Sequence, residues 1–350
     1  MLRIDQLRLP PGAPETLLRD KCARLLRLPP EDVRSCTVLR RAIDAREGLN
    51  FVYTAAVEVK NEPQVLRRCR DKRVSPYAPE NYALPRPVAA PETRPVVVGA
   101  GPAGLFAALV LARCGARPIL LERGRPVEQR QADVERFWRG GALNTESNVQ
   151  FGEGGAGAFS DGKLNTGTRD LRHRYIMETL VRCGAPEDIL TDAKPHVGTD
   201  KLHIALQCLR QELLSAGAEL RFGARLEGLR IESGAVCGVT VCQDGRSYDL
   251  PARQVLLALG HSGTPLRCCT PQAYTWSRSL SPWACASSTG SRTSTRRSTG
   301  RWRGTPPCRP AHISCPAICP TGAAPFPSAY APADRWWPPR RRRGGWSPTA

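Results

Sequence analysis

The sequence predicts an α/β fold with a Rossmann-like domain, a doubly wound parallel sheet and antiparallel insertions, and two observations lead to this prediction. An unbroken apolar strand, Val96–Val98, runs into a glycine-rich turn and then an apolar helix. Strand and helix patterns then alternate as far as Gly260, which is typical of parallel sheets covered on both faces by helices. The 350 residues are long enough for two or three domains with separate cores.

The first 60 residues predict a small α/β unit that precedes this domain. We expect strands at Arg3–Leu9, near Ser35–Ala42 and at Phe51–Val59, with a helix from about Glu15 to Leu28. Nothing in the unit indicates chemistry, so a packing or partner role is the prediction. Residues 61–94 are rich in Arg and Pro and predict an extended linker.

Residues 95–262 carry the pattern of the Rossmann-like domain. After Val96–Val98 we expect a helix at Ala103–Cys114 and a buried strand at Pro118–Leu121, which completes a βαβ unit. An amphipathic helix at Lys201–Ala216 is followed by short strands with Gly and Asp-Gly turns. A last buried strand is predicted at Val255–Leu259.

The turn of this βαβ unit reads Gly99-Ala-Gly101-Pro-Ala-Gly104, which is a G-x-G-x-x-G pattern between a strand and a helix. Gly99 permits the tight turn, Gly101 lets the backbone approach a diphosphate, and Gly104 lets the helix pack close to the strand. Pro102 and Ala103 lie in the first helical turn, where free N–H groups and the positive helix end attract anions. These five residues are predicted to bind a dinucleotide. The alternative is a glycine turn that only packs a helix on a sheet.

An acidic residue follows the second strand of the unit. Glu122 lies 18 residues after Gly104, where a carboxylate accepts hydrogen bonds from both ribose hydroxyls of a dinucleotide. It also disfavours a 2′-phosphate, so the site is predicted to hold FAD or NAD rather than NADP. The next residue, Arg123, is a further candidate for cofactor binding.

A second glycine-rich segment, Gly152–Lys163, is suited to press its backbone against a flat ring or a phosphate. Its alternative is a flexible surface loop. Gly260, at the end of the last strand, lies at the sheet edge where open α/β sheets bind ligands. The candidate cofactor-binding residues in these two segments are Gly154, Gly155, Gly157, Ser160, Asp161, Lys163 and Gly260.

Four stretches together resemble bacterial FAD-dependent dehydrogenases of the NAD(P)/FAD-dependent oxidoreductase family: Val96–Gly124, Asn148–Leu164, Asp192–Asp200 and Ala258–Ser262. The resemblance covers residues 1–262. It implies a glutathione-reductase-like FAD-binding domain, with the loop of residues 152–163 near the flavin and Gly260 closing over it. It implies FAD on Gly99, Gly101, Gly104 and Glu122. It names no substrate.

A flavin enzyme of this kind transfers a hydride, and the protein supplies position, charge and sometimes a proton. The candidates for that proton are His196, Lys194 and His261, with Asp200 in the same cluster; the alternative for each is a solvated charge or a satisfied loop histidine. Lys163 is placed to offset negative charge on reduced flavin. NAD(P)H is a candidate electron partner. An enzyme that binds only NAD, and a non-catalytic protein, are the alternatives.

Residues 263–350 differ sharply from the rest of the chain. They contain 13 Arg and one Asp as their only charged residues, a net +12 of the chain's +19, and six of the seven Trp. Read one nucleotide out of register, Trp336–Thr349 allows VVAAASEEGGVVTN, which resembles the family's continuation. We therefore hypothesise a one-nucleotide frame error near codon 263 and a mostly irregular tail. The alternative is a basic nucleic-acid-binding tail, which composition alone supports weakly.

The remaining composition predicts a cytoplasmic protein that does not engage membranes. No apolar run is long enough to span a bilayer, and the N-terminus lacks a signal-peptide pattern. The eight Cys before residue 263 show no C-x-x-C pair and no metal-ligand spacing with His, so free thiols and no metal are expected.

Overall fold

The computed structural model describes residues 1–46, 48–160, 162–164 and 170–260, together with the backbone of two short strands in the C-terminal part. The chain divides into two compact units, Met1–Ala273 and Tyr274–Ala350. In the second unit, the described strands β12 (Ser277–Arg278) and β13 (Ser314–Cys315) pair in parallel.

The N-terminal part folds as an antiparallel sheet with helices on one face. Its elements are β1 (Leu2–Leu9), α1 (Thr16–Leu26), β2 (Val33–Asp44), β3 (Asn50–Val59), α2 (Glu62–Arg68) and β4 (Val74–Pro76). The strand order β2-β3-β1-β4 and the βαββαβ succession are those of a ferredoxin-like fold. Leu2, Ile4, Leu7 and Leu9 of β1 are buried against apolar side chains of α1, and the alternation is interrupted once, by a register shift between Ile4 and Leu7.

Part of the segment predicted as a linker is regular structure. Residues 62–68 form α2, and β4 pairs with β1 through Leu2 and Pro76, so the ferredoxin-like sheet reaches beyond residue 60. The sequence pattern did not predict these elements because both are short. Pro63 lies in the first turn of α2, where a missing N–H is tolerated. We call residues 1–76 the N-terminal module.

The central part contains the predicted parallel sheet, in the order β11-β5-β6-β7. Its elements are β5 (Val96–Val98), α3 (Pro102–Arg113), β6 (Ile119–Leu121), α4 (Val127–Trp138), α5 (Arg172–Arg182), α6 (Thr199–Ser215), β7 (Glu219–Arg221), β8 (Ala224–Glu232), β9 (Ala235–Gln243), β10 (Arg246–Pro251) and β11 (Val255–Leu257). Strands β8, β9 and β10 form a separate antiparallel sheet. The α/β prediction with a Rossmann-like domain and antiparallel insertions is confirmed.

The parallel sheet is buried between two apolar clusters. Val97 and Leu120 pack with helices α3 and α6 on one face. Val96, Val98 and Leu121 pack with the antiparallel sheet on the other, so the prediction of a doubly wound sheet with helices on both faces is wrong for the described residues. Two-sided burial explains why β5 and β6 read as unbroken apolar runs rather than alternating ones. No helix among the described residues is long and apolar enough to cross a membrane.

Candidate functional site

The glycine turn between β5 and α3 has the geometry that its sequence predicts. Gly99 has a φ of +102°, and a Cβ there would lie 2.4 Å from the carbonyl oxygen of Ala258. A Cβ on Gly104 would lie 1.7 Å from the carbonyl oxygen of Gly99, so only glycine lets α3 pack this close to the turn. A Cβ on Gly101 would meet nothing within 4 Å. Space is therefore open on the side where a diphosphate is expected.

The start of α3 is accessible beside this open space. Pro102 and Ala103, the first two residues of the helix, are exposed. The first N–H groups of a helix have no partner within it, and the positive end of the helix dipole adds to their attraction for anions. The residues present therefore fit the diphosphate of a dinucleotide such as FAD.

Glu122 lies at the centre of three backbone segments. Its carboxylate is buried; Oε2 accepts the Ala100 N–H at 2.7 Å, and Oε1 accepts those of Gly124 at 2.9 Å and Gly152 at 3.1 Å. The carboxylate thus joins the glycine turn of β5, the end of β6 and the second glycine segment. Oε2 has one further lone pair that can accept a hydrogen bond from a ribose hydroxyl. That bond stays a prediction.

Arg123, the next residue, contacts other side chains of the protein. Its Nε donates to Glu146 at 2.7 Å, and its guanidinium carbon lies 4.4 Å from the centre of the Phe151 ring. These contacts order the segment between α4 and the second glycine segment. The predicted contact of Arg123 with a cofactor stays a prediction.

The two glycine segments lie against each other. The Gly154 N–H donates to the carbonyl of Ala100 at 2.8 Å, and a Cβ on Gly155 would lie 3.3 Å from Gly101 Cα. From the sequence, both segments were predicted to bind a cofactor, but no contact between the two segments was predicted. A Cβ on Gly157 would meet nothing within 4 Å, so this glycine borders open space.

The remaining predicted site residues are exposed or lie outside the described residues. The Ser160 hydroxyl is exposed and lies 3.5 Å from the carbonyl of Gly157. Lys163 is exposed. Asp161 and His261 lie outside the described residues. Gly260 has a φ of +60°, and a Cβ there would meet nothing within 4 Å.

A buried arginine that sequence reasoning missed supports the second glycine segment. Arg130, on α4, is fully buried; Nε donates to the carbonyl of Asn148 at 2.8 Å, Nη1 to that of Glu153 at 2.6 Å and Nη2 to that of Val149 at 2.9 Å. Burial lowers the pKa of Arg130 to about 10. The available signal was weak: Arg130 falls between the two buried valines of α4 at helical spacing, at a position where an apolar residue is usual.

A buried glutamate in the same segment was also missed. Oε2 of Glu153 accepts the N–H of Val127, the first residue of α4, at 2.8 Å, and Nη1 of Arg210 at 3.2 Å. Its Oε1 is buried with no partner among the described residues. Burial raises the pKa of Glu153 to about 7. The carboxyl caps α4 and ties it to the glycine segment.

The candidate proton donors lie near the end of the glycine segment but are open to solvent. Lys194, His196 and Asp200 are all exposed. The backbones of Lys163 and His196 form a β-bridge, so the structure brings the two family-like stretches together through main-chain contacts. His203, which sequence reasoning missed, is half-buried on α6, and its Nε2 lies 2.9 Å from the carbonyl oxygen of Ala158 in the glycine segment.

Cys183, Cys208 and Glu212 form one group of potential metal ligands within the described part of the chain, with ligand atoms within 4.8 Å of one another. Arg113 and Arg182 both form ion pairs with Glu212, and burial raises the pKa of Cys183 to about 12. Two guanidinium groups and a protonated thiol disfavour a cation there. The eight described cysteines are free, as expected.

Known families match two parts of the chain. Residues 1–60 match a domain of unknown function, DUF8436, and residues 92–264 match a model described as "FAD binding domain". An uncharacterised protein of Clostridium beijerinckii is 40% identical over 264 residues, which is 75% of this chain and 49% of that protein. This chain therefore spans about half the length of that relative.

Solved structures show more distant similarity. A 3-ketosteroid-Δ4-(5α)-dehydrogenase from Rhodococcus jostii is 19% identical with a TM-score of 0.31, covering 50% of this chain and 48% of that one. A geranylgeranyl bacteriochlorophyll reductase-like protein from Thermoplasma acidophilum is 18% identical with a TM-score of 0.31, covering 51% of this chain and 41% of that one.

The family match bears on the cofactor that the sequence left open between FAD and NAD. It spans the glycine turn, Glu122, the second glycine segment and β11. The prediction of FAD is thereby confirmed, and so is the part of the resemblance that concerns FAD binding. Residues 92–264 are thus similar to the FAD-binding-domain family, and this match indicates FAD as the cofactor of the Rossmann-like domain.

Proposed function

We propose that the protein is an FAD-dependent oxidoreductase that transfers a hydride between the flavin and a small-molecule substrate not yet identified. The observation that carries the proposal is the contact between the glycine turn of β5 and the second glycine segment, inside a domain of the FAD-binding family. A domain that only packs a helix on a sheet has no need of open space at Gly101 beside an exposed helix start. The alternative of a nucleic-acid-binding protein has no support from the family match.

In this proposal, different residues of the chain bind different parts of the dinucleotide. The start of α3 and Gly101 hold the diphosphate, and the remaining acceptor site on Glu122 holds a ribose hydroxyl. Gly155, Gly157 and Lys163 would contact the flavin part of the cofactor. Bound FAD supplies the hydride chemistry, whereas the protein supplies position and electrostatics.

Lys163 would place an ammonium group near the flavin, where a positive charge would stabilise negative charge on the cofactor. The backbone of His196 bridges to Lys163, and the side chains of His196 and Lys194 are exposed, which suits proton exchange with solvent. NAD(P)H is proposed as the electron partner and the cytoplasm as the compartment.

The proposal is tested on the purified full chain. We expect visible flavin absorption, release of FAD rather than FMN on denaturation, and bleaching of the flavin by NADH or NADPH without oxygen. Retained FAD without bleaching by either nucleotide would remove NAD(P)H as the electron partner. A chain that retains no flavin, even when purified with added FAD, would contradict the proposed function.

A further inference from the structure

An edge of the N-terminal module is occupied by a segment from the FAD-binding part of the chain. Strand β2 is an edge strand of the ferredoxin-like sheet. The Arg41 N–H donates to the carbonyl of Thr191 at 2.7 Å, and the Ala193 N–H donates to the carbonyl of Arg41 at 2.8 Å. Residues 191–193 therefore continue the module's sheet by one short parallel bridge.

The side chain of Arg41 reinforces this bridge. Its Nε donates to Asp192 Oδ1 at 2.8 Å, and its Nη2 lies 3.6 Å from Asp188 Oδ2. Arg41 and Asp192 are about 27% and 32% exposed, so water screens the pair only partly. Main-chain and side-chain bonds thus hold the same three residues, which is a stronger link than a surface ion pair alone.

The held segment leads directly to the end of the second glycine segment. The Leu164 N–H donates to the carbonyl of Pro195 at 3.0 Å, and the Val197 N–H donates to that of Gly162 at 3.0 Å. Only one residue separates Ala193 from Pro195. The contacts therefore run without interruption from β2, through residues 191–197, to residues 162–164.

We propose that the N-terminal module is a positioning domain for the flavin, with Arg41 as its positioning residue: through residues 191–197 it holds the 162–164 end of the glycine segment in place. This assigns a role to a part of the chain whose family has no known function. It rests on the proposed function only in placing that segment beside the flavin. Because no step in the link is longer than two residues, we expect that loosening residues 191–193 at β2 also loosens residues 162–164.

The test compares Arg41→Ala with Arg46→Ala in the full chain. Arg46 is the matched control, because it lies in the same module, pairs with Asp44 and is 84% exposed. We expect Arg41→Ala to speed hydrogen exchange at the amides of Val197 and Leu164 about tenfold and to weaken FAD binding about tenfold. The control changes neither. The charge-swapped pair Arg41→Asp with Asp192→Arg restores part of both losses.

The exchange measurement needs no flavin, so the two proposals fail separately. If the wild-type chain holds no FAD, the proposed function fails, yet exchange at Val197 and Leu164 still tests whether the module holds the segment. Unchanged exchange at both amides in Arg41→Ala overturns the positioning role. In a chain that binds FAD, faster exchange with unchanged FAD affinity overturns the link to the flavin.

Discussion

At the scale of single residues, the three glycines of the β5–α3 turn are required for different reasons. Gly99 and Gly104 are fixed by the protein itself, because a Cβ on either would overlap a backbone oxygen. Gly101 is not fixed by the protein, since a Cβ there meets only open space. Within these six residues, Gly99 and Gly104 are therefore needed for stability, whereas we expect Gly101 to be needed for cofactor binding.

Two alanine substitutions test this separation. We expect Gly104→Ala to lower the free energy of unfolding by about 1–3 kcal/mol, the usual cost of overpacking. Gly101→Ala should leave that free energy unchanged in the absence of FAD but raise the Kd for FAD about tenfold or more, because the methyl occupies space that the diphosphate needs. Chemical denaturation and flavin titration measure the two effects. Equal effects of both variants on stability without FAD would contradict the assignment.

Arg130 gives a second prediction at this scale. Replacing it by Met removes every donor that reaches the carbonyls of Asn148, Val149 and Glu153 from α4. We expect Arg130→Met to lower the free energy of unfolding by about 3 kcal/mol, since buried acceptors would lose their partners. The control is Arg139→Met directly after the same helix, where the arginine is 82% exposed and the expected change is below about 0.5 kcal/mol. Denaturant titration compares the two, and similar losses would contradict the role given to Arg130.

Glu153 makes stability depend on pH. Its pKa is about 7 in the folded chain against an ordinary 4.5, so between these values the folded state binds more protons than the unfolded state. The contribution of this group to stability therefore falls as the pH rises through that window. Glu153→Gln stays neutral, so its stability relative to wild type should rise with pH by up to about 3 kcal/mol. Denaturant titrations at several pH values measure the difference; a constant difference would refute it.

At the scale of elements, the sequence predicted the strands and helices with strong patterns and missed those without. Strand β5 and helix α3 were predicted to within one residue, because their apolar runs and the glycine turn are local signals. Helix α4 was missed, since its buried positions include Arg130 and Asp133. The sequence also offered no sign that α4 would supply the arginine that orders the glycine segment, because that contact depends on tertiary structure.

Three helices meet at one carboxylate. Glu212 on α6 pairs with Arg113 on α3 at 2.6 Å and with Arg182 on α5 at 3.1 Å. Burial raises the pKa of Glu212, but the bonds to Arg182 and the charges of both arginines outweigh burial and hold it below its ordinary value. The stability that this carboxylate contributes is therefore present at neutral pH and is lost as the pH falls through the folded pKa.

Glu212→Gln tests the helix junction. We expect a loss of about 1–2 kcal/mol in the free energy of unfolding at neutral pH, with the difference from wild type disappearing in acid. Glu178→Gln is the control, because Glu178 pairs with Arg174 within one helix and both side chains are about half exposed. Its expected effect is below about 0.5 kcal/mol. Equal effects of the two variants in denaturant titrations would show that the junction adds nothing.

At the scale of the whole molecule, local pattern predicted each part but not how the parts meet. The N-terminal module and the Rossmann-like domain were predicted as successive units, and the role of the first was left between packing and partner binding. The contacts of Arg41 join them across about 150 residues of sequence. No periodicity or motif in the sequence predicts this pairing. It requires that the edge strand β2 and residues 191–193, which belong to different parts of the chain, have complementary hydrogen-bonding groups and charges.

The last prediction concerns residues 263–350, whose structure is largely outside the described residues. Their composition changes within a few residues of Gly260, where net charge, Trp and Arg all rise together. A folded α/β domain has no physical reason to lose Lys and Glu entirely at one point, whereas a shifted reading frame changes every codon at once.

We expect sequencing of the gene across codons 255–275 to show one base missing or extra. The corrected chain should lose most of the +12 charge and bind FAD more tightly than the present one. A confirmed frame would refute the hypothesis, and the basic segment would then be tested for salt-sensitive DNA binding by deleting residues 263–350.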